Sequence, residues 1–352
     1  MAAKKPTIKD VAQLAGVSVS TVSLVLNQKG PVSPETRQKI LKAIAQLDYH
    51  PKRVARGLAS QTTGNIGFIL TDDHFSLVEP FYTKIFLGSE VEARKYGYYI
   101  LLTTIPNRFD KKHIPRFLLE RNVDGVIMAG RVPERLIEYI QEMGLPVTLV
   151  DFYHRHLKTG AILIDNVEGA FQAVAHLIQL GHRKLGFVGG DLGHPSIADR
   201  LEGFKRALEE HGLPLVPEWI ITSERNTSVP SGYQAMEAIL KAADPPTAIF
   251  ACNDAMAIGC LQRLKESGRK VPDDVAIIGF DNIDADLQVD PHLSTVHVYK
   301  EKMGALAVQQ MARMIQNGEQ LGEKILVPVE VMVRESTLKG RKIAKSAVNP
   351  IY

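Results

Sequence analysis

Polar side chains that could hold a small molecule stand directly after short apolar runs in the C-terminal part of this sequence. Asp151, Asn253 and Asp281 each follow such a run, and Arg200 stands early in the segment after another. Carboxylate, amide and guanidinium groups that converge on one point can form paired hydrogen bonds to neighbouring hydroxyls or ring nitrogens. The pattern therefore predicts a site for a small polar molecule. Capping of the following helix is the competing interpretation, above all for Asp254.

Strands that alternate with helices from Asn65 onward would position these side chains. The predicted strands are 66–70, 98–102, 125–128 and 147–150 in a first series, then 184–188, 247–251 and 275–279 in a second. Continuous apolar strands between helices, such as the helix predicted over 81–96, are typical of parallel sheets covered on both faces. The sequence therefore predicts an α/β core of two doubly wound parallel-sheet subdomains, with ligands bound where the strands end.

The first fifty residues follow a helical pattern. Thr7 and Asp10 have the spacing of a capping box that begins a helix, and Gly16 can adopt the left-handed backbone that ends it. Ser18 is placed to cap a second helix. Two short helices joined by a glycine-containing turn predict a helix-turn-helix, although an ordinary pair of packed helices has the same pattern. In a helix-turn-helix the second helix lies in the DNA major groove, and its outward side chains contact the base edges. Here these side chains are Val19, Ser20, Ser23 and Leu24.

Two further features favour DNA binding. Ser33, Pro34 and Glu35 predict the start of a third helix, whose apolar face would be Ile40, Leu41, Ile44 and Leu47. Residues 1–60 hold ten Lys and Arg against three acidic residues, a net charge of +7. The whole chain of 352 residues carries only +3, so the other 292 residues carry −4. A basic head on a mildly acidic body is typical of a protein that binds the DNA phosphate backbone.

Composition and missing motifs argue against several classes of protein. No apolar run follows the charged N-terminus and no stretch reaches 18 apolar residues, so we expect neither a signal peptide nor a membrane span. Cys252 and Cys260 have no metal or disulfide spacing, which suits the reducing cytoplasm. Phosphate-loop and dinucleotide motifs are absent, and His154 and His156 lack further ligands at metal spacing. We expect no cofactor, no metal and no catalytic activity.

The head also carries the motifs of a known family. It contains TIKDVA at 7–12, AGVS at 15–18, STVS at 20–23, VLN at 25–27, VSPETR at 32–37 and LDYHP at 47–51. These segments resemble the head of the LacI/GalR family of bacterial transcriptional regulators, and the resemblance extends over almost the whole chain. It implies an all-α helix-turn-helix head and a hinge helix, then a periplasmic-binding-protein-like α/β core. It also implies a homodimer that binds palindromic operator DNA.

The resemblance assigns residues 1–49 to the head and 50–63 to a hinge helix and linker. A plain basic linker is the other interpretation, since a short segment that contains Gly57 is not a stable helix alone. In the family-based interpretation Leu58 wedges into the minor groove while basic neighbours hold phosphates. The residues expected to contact DNA are Thr7, Ser18, Val19, Ser20, Thr21, Ser23, Leu24, Asn27, Lys52, Arg53, Arg56 and Leu58.

For the core at 64–340 the resemblance implies three chain crossings between subdomains, near Asp165, near 293–297 and near Lys324. The N-subdomain would comprise about 64–165 and 297–324, the C-subdomain about 166–293 and 325–340, and 341–352 a short basic tail. Positions matching Asp151, Arg200, Asn253 and Asp281 commonly bind the effector in this family. The residues expected at the effector are Phe81, Tyr82, Asp151, Phe152, His194, Ser196, Arg200, Asn253 and Asp281, with His194 and Ser196 in the loop before Arg200.

We therefore expect a DNA-binding transcriptional regulator, most simply a cytoplasmic repressor, controlled by a small molecule in the cleft. We expect a sugar or sugar derivative as this effector. A purine-type corepressor is the alternative, but no aromatic residue stands at 225–228, where some relatives stack a ring on the ligand. A solute-binding protein without a DNA function is the alternative from another class, and the basic head argues against it.

Overall fold

The computed structural model describes residues 6–26, 30–49, 62–72, 81–154, 156–224 and 226–338. The chain divides into two compact units, Met1–Gly64 and Asn65–Tyr352. Five predicted DNA contacts lie outside the described residues, so their roles stay predictions: Asn27, Lys52, Arg53, Arg56 and Leu58. The basic tail at 341–352 also lies outside them.

The head consists of three helices, α1 (Ile8–Ala15), α2 (Val19–Leu26) and α3 (Pro34–Gln46). The predicted start and stop signals are all in place. The Thr7 N–H and hydroxyl both donate to the Asp10 carboxylate, at 2.6 and 2.7 Å. Gly16 ends α1 with a φ of 66°, and the Thr21 N–H donates to Ser18 Oγ at 3.1 Å at the start of α2.

The head has its own small core, built around Val11, Val22 and Ile40, which are all fully buried. Leu41 was predicted to join this core, but it is 53% exposed. Consecutive helical residues point about 100° apart, and the buried face of α3 contains Ile40 and Ala43 but not Leu41. Within the described residues no single helix is long and apolar enough to cross a membrane. The bent pair of α1 and α2 meets that criterion only when the two are taken together.

The second unit contains a six-stranded parallel sheet. From one edge to the other its strands are β11 (Lys324–Val327), β5 (Gly160–Ile164), β4 (Val147–Val150), β3 (Gly125–Ala129), β1 (Asn65–Thr71) and β2 (Tyr99–Ile105). Its helices are α4 (Phe81–Lys95), α5 (Arg116–Leu119), α6 (Glu134–Glu142) and α11 (Lys300–Asn317), with a 3-10 turn at Lys111–His113. Strands β3 and β4 are buried along their whole length, as strands covered on both faces must be.

A four-stranded parallel sheet forms the other subdomain of this unit. Its strands in order are β7 (Ile220–Ile221), β6 (Leu185–Val188), β8 (Ala248–Ala251) and β9 (Ala276–Ile278). Its helices are α7 (Asn166–Gln179), α8 (Pro195–Glu210), α9 (Val229–Leu240) and α10 (Asp254–Glu266), with 3-10 turns at Pro217–Trp219 and Asp284–Leu287. The prediction of two doubly wound parallel sheets is confirmed.

The chain passes between the two sheets three times. The first crossing is at Asp165, between β5 and α7. Strands β10 (Thr295–His297) and β12 (Glu330–Met332) pair antiparallel beside the other two crossings. The last crossing was expected near Lys324. Because β11 pairs with β5 in the first sheet, the chain instead crosses after Val327.

Helices α4 and α11 approach each other so closely that each needs a glycine at the contact. A Cβ atom at Gly88 would lie 2.1 Å from the carbonyl oxygen of Glu301, and one at Gly304 would lie 2.0 Å from that of Ile85. We expect Gly304→Ala to lower the free energy of unfolding by about 2–3 kcal/mol, because the helix backbones must separate. Urea denaturation measures this. Lys302→Ala, on the exposed face of the same turn, is the control, and equal stability of the two variants would contradict the packing.

Candidate functional site

Asp151 connects the two subdomains at the end of β4. Its carboxylate accepts a hydrogen bond from the Tyr82 hydroxyl of α4 at 2.9 Å and another from Ser196 Oγ of α8 at 3.2 Å. Burial, and then the charge of Asp151, raise the pKa of Tyr82 well above 10.0, so the phenol keeps its proton and donates. A ligand that bound Asp151 would therefore alter a contact between the subdomains.

Arg200 is only 5% exposed, and neighbours on four sides fix its guanidinium group. Nε donates to Asn166 Oδ1 at 2.8 Å, and Nη1 donates to the carbonyl oxygen of Cys252 at 2.5 Å. Nη2 donates to Asp281 Oδ1 at 3.3 Å, which is the longest of the three bonds. The guanidinium carbon lies 3.7 Å from the centroid of the Phe280 ring, a cation–π contact. Arg200 is thus held in one position, and Asp281 is its most loosely bound partner.

Asp281 belongs to a turn in which two successive residues adopt a left-handed backbone. The φ angle is 112° at Asp281 and 54° at Asn282. Lys300 donates to the carbonyl oxygens of both residues, and burial lowers the pKa of this lysine. The Asp281 side chain keeps 14% of its surface exposed, so a ligand can reach its carboxylate.

The aromatic residues expected at the effector, Phe81, Tyr82 and Phe152, lie near these polar groups. The Phe152 ring packs against His154 and His194, with centroids 4.9 and 5.7 Å apart. The rings of Phe81 and Tyr82 are 5.0 Å apart. Phe152 and Tyr82 are buried, whereas Phe81 and His194 are half-buried and keep surface that a ligand can touch. Burial lowers the pKa of His194, so its ring is neutral at pH 7.

Asn253 follows β8 as predicted but has internal partners, and Ser196 lies in a helix and not in the predicted loop. Asn253 caps α10, because its Oδ1 accepts the Met256 N–H at 2.9 Å, while its Nδ2 donates to the Thr227 carbonyl oxygen at 2.9 Å. Capping had been considered for Asp254, which lies within the first turn of α10 instead. Ser196 lies in the first turn of α8 and not in the loop before it, since that helix begins one residue earlier. A ligand would have to compete with the internal partners of Asn253.

Two buried polar residues of this region were not predicted. Asn166 orients Arg200 and follows β5. The apolar run Gly160–Ile164 is the sequence pattern that indicates a strand before this residue. Lys300 begins α11 and is 2% exposed, although a lysine at a helix start is ordinarily on the surface. A cavity of about 270 Å³ opens beside Asp151 and Asn166. Its volume is close to the lower end for small-molecule sites.

In the head, the outward face of α2 combines apolar and hydroxyl side chains. Val19 and Leu24 are 40% and 39% exposed, and Ser20 is exposed beside them. The Ser18 and Thr21 hydroxyls hydrogen-bond each other at 2.8 Å, so these two residues also stabilise the start of the helix. Thr7 has a similar second role as the cap of α1. Ser23 is half-buried.

Comparison with known proteins gives matches over both units. Residues 7–52 match the model described as bacterial regulatory proteins, lacI family, and residues 174–337 match a periplasmic binding protein-like domain. The HTH-type transcriptional repressor PurR of Mannheimia succiniciproducens is 34% identical over 336 residues, covering 95% of this chain and 99% of that protein. Catabolite control protein A of Priestia megaterium is 37% identical over 335 residues, covering 94% and 99%.

Solved structures of regulators superpose on nearly the whole chain. A Lac repressor dimer bound to operator and the anti-inducer ONPF gives a TM-score of 0.79 at 28% identity, covering 95% of this chain and 100% of the other. A complex of the transcriptional regulator CelR with cellobiose gives a TM-score of 0.73 at 29% identity, covering 94% and 99%. The same fold thus accommodates DNA in one of these proteins and a disaccharide in the other.

Proposed function

The chain belongs to the LacI family of bacterial regulatory proteins, and we propose that a sugar or sugar derivative bound near Asp151, Arg200 and Asp281 controls its action. The protein is a DNA-binding repressor that acts on operator DNA as a homodimer. The head binds the operator and the α/β core binds the effector. We place this activity in the cytoplasm, where the DNA is.

The contact between Arg200 and Asp281 carries the proposal. It joins a fixed donor to a fixed acceptor at 3.3 Å, and Asp281 is partly open to solvent. A sugar hydroxyl can donate to the carboxylate and accept from the guanidinium at once, and adjacent hydroxyls can repeat the pattern. Asp151 supplies another acceptor from the other subdomain. A polyhydroxylated ring has donors and acceptors around its whole rim, which matches this arrangement.

Control follows from differential binding to two arrangements of the subdomains. Among the described residues, two ion pairs that solvent reaches cross between the subdomains, Lys84 with Asp284 at 2.9 Å and Arg131 with Asp191 at 3.4 Å. Exposed pairs of this kind contribute no more than about 1 kcal/mol each. A ligand that favours one arrangement by a few kcal/mol can therefore change their geometry and, through linkage, the operator affinity.

A purine-type corepressor is the second candidate, and the relative named HTH-type transcriptional repressor PurR is 34% identical to this chain. A flat base is best held between two aromatic rings. Residues 226–228 are Asn, Thr and Ser, so the loop beside Asn253 offers no such ring within the described part of the chain. This observation favours the sugar.

A thermal-shift experiment on the full chain separates the two candidates. Cellobiose, ribose, adenine and guanine are the probes. A ligand at a hundredfold excess over its Kd adds about 2.7 kcal/mol to the stability of the folded state, which raises the Tm by several degrees. We expect a shift with a sugar. A shift with a purine base alone would replace the sugar by the second candidate, and no shift with any probe would count against both.

Ser20 is proposed to discriminate between bases. Its hydroxyl is exposed between the apolar side chains of Val19 and Leu24, which suit thymine methyl groups. We expect Ser20→Ala to change the preferred half-site at one position, with a discrimination loss of about 1–3 kcal/mol. Selection from random DNA measures this. Gln13→Ala, at an exposed position of α1, is the control, and identical sites for wild type and Ser20→Ala would exclude Ser20 as a base contact.

We place the dimer contact on α4 and the edge strand β2. Leu87 and Val91 of α4 and Tyr99 of β2 are 52%, 58% and 63% exposed, an unusual concentration of apolar surface on adjacent elements. Leu87→Glu should weaken the dimer at least ~tenfold, because a carboxylate would lose its water there. Sedimentation velocity measures the dissociation. Leu215→Glu, at a residue 45% exposed in the other subdomain, is the control. Equal behaviour of both variants would place the dimer contact elsewhere.

A further inference from the structure

Two acidic side chains without exposed surface lie under the turn that carries Asp281. Asp254 belongs to α10 and Asp286 to the 3-10 turn Asp284–Leu287, and both are 0% exposed. The Ile283 N–H is directed at both of them, 3.2 Å from Asp254 Oδ2 and 3.0 Å from Asp286 Oδ2. The two carboxyl groups therefore converge on one backbone donor.

The charges around this pair are too few for two carboxylates. Arg334 approaches Asp286 Oδ2 with its Nη1 only to 3.7 Å, and the Lys300 ammonium is directed at the carbonyl oxygens of Asp281 and Asn282. The nearby Asp281 adds a further negative charge. Two adjacent anions closed off from water are less stable than one anion and one protonated acid.

Burial and neighbouring charge indicate which of the two groups keeps the proton. Burial, and then the charges of Asp286 and Asp281, raise the pKa of Asp254 well above its ordinary value, whereas burial raises that of Asp286 only to about 6. Within the part of the chain that the structure describes, Asp286 Oδ1 is buried and has no partner for a hydrogen bond. A protonated Asp254 can donate a hydrogen bond to the neighbouring Asp286 carboxylate, with which it shares a side-chain hydrogen bond.

Asp254 also reaches a second amide of the turn through Thr295. The Thr295 hydroxyl donates to Asp254 Oδ1 at 2.6 Å and accepts the Asn282 N–H at 3.2 Å. A Cβ atom at Gly279 would lie 2.1 Å from Asp254 Oδ1, so glycine there lets the carboxyl group come this close. Two successive amides of the left-handed turn are thus held by one side chain, directly or through one hydroxyl.

We propose that Asp254 is a positioning residue for effector binding, whose protonated carboxyl group holds the turn at residues 281–283 so that Asp281 faces Arg200. The proposal rests on the proposed function only in taking Asp281 as an effector contact. Asp254 itself touches no effector, because it has no exposed surface. It acts through the backbone of the turn.

Hydrogen exchange of the full chain, followed by mass spectrometry, tests the positioning without any ligand. Asp254→Ala should accelerate exchange at the amides of Asn282 and Ile283 at least ~tenfold, because the Thr295 hydroxyl that accepts from Asn282 loses its own partner and Ile283 keeps only the Asp286 carboxylate. Asp254→Asn should keep exchange at the Asn282 amide within about threefold of wild type, since its Oδ1 still accepts from Thr295 while its Nδ2 donates as a protonated carboxyl group does. Equal damage by both variants would overturn the assignment of the proton, and no acceleration in Asp254→Ala would overturn the positioning role.

Thr295→Val keeps the experiment decisive if Asp254→Ala does not fold. It removes one hydroxyl and should accelerate exchange at Asn282 more than at Ile283, while Thr247→Val on the surface of the same subdomain should do neither. Absence of that difference would contradict the proposal.

Calorimetry with cellobiose and ribose then links the turn to binding. The sugar that binds wild type should bind Asp254→Asn with similar affinity and Asp254→Ala at least ~tenfold more weakly. Equal binding to Asp254→Ala would overturn the role in effector binding. If neither sugar binds wild type, the proposed effector class fails, and the exchange rates still decide the positioning role.

Discussion

A chain that begins at Thr62 will bind the operator at least ~10³-fold more weakly than the full chain, which is the usual margin between specific and non-specific binding. The truncation removes α1 to α3 and, with them, the exposed face of Val19, Ser20 and Leu24. It also removes the +7 net charge of residues 1–60 and leaves a body of opposite sign. Fluorescence anisotropy on an operator selected with the full chain measures the loss.

The truncated chain should keep its fold and its ligand. The unit Asn65–Tyr352 is compact by itself and contains both sheets with their buried strands. Its thermal shift with the sugar found for the full chain should therefore be unchanged within error. Undiminished operator affinity would show that the head does not bind the operator. If the full chain itself selected no sequence, the protein would behave as a solute-binding protein.

Arg200→Ala should abolish the ligand response and also lower the free energy of unfolding by about 3–5 kcal/mol. The substitution removes the Arg200 donor from Asn166 Oδ1, the Cys252 carbonyl oxygen and the Asp281 carboxylate in a largely buried site. Asp281→Ala should abolish the ligand response with a smaller loss of stability, because Arg200 keeps two of its hydrogen bonds and the Phe280 ring. Ligand-free operator affinity should stay close to wild type in Asp281→Ala.

Calorimetry and urea denaturation on the two variants separate these effects. Arg206→Ala is a matched control in the same helix, since Arg206 is exposed, pairs locally with Glu210 at 2.9 Å and lies 5.3 Å from the centroid of the Phe171 ring. Its stability should change by less than about 0.5 kcal/mol and its ligand affinity not at all. If Arg200→Ala resembled this control in both measurements, the buried contacts of Arg200 would be placed wrongly.

Local chemistry explains what could be predicted from the sequence. The Thr7 capping box, the left-handed Gly16 and the Ser18 cap each depend on residues within a few positions, so the head helices were predictable. Continuous apolar runs predicted β3, β4 and β8 because both faces of a parallel strand must be covered.

Long-range contacts determine the features of the fold and the site that could not be predicted from the sequence. Strand β11 has exposed positions and only four residues, and its place beside β5 depends on how the chain returns after α11. Burial of Lys300 depends on the carbonyl oxygens of the turn at Asp281, which lie in the other subdomain. Asn253 was predicted from its position after a strand, but whether it caps a helix or meets a ligand depends on Met256 and Thr227. Apart from the cap at Met256, these contacts join residues that are far apart in the sequence, so no local sequence pattern predicts them.

Operator affinity measured with and without a ligand tests most directly whether this chain is a switched repressor. The full chain should select a palindromic sequence and bind it as a dimer with a Kd on the order of 10⁻⁸ M or tighter at physiological salt. The sugar identified by thermal shift should change that Kd by a factor of about 5–150, the usual range of allosteric coupling. An operator affinity that stays the same at saturating ligand would contradict the proposal that a ligand bound in the α/β core controls DNA binding.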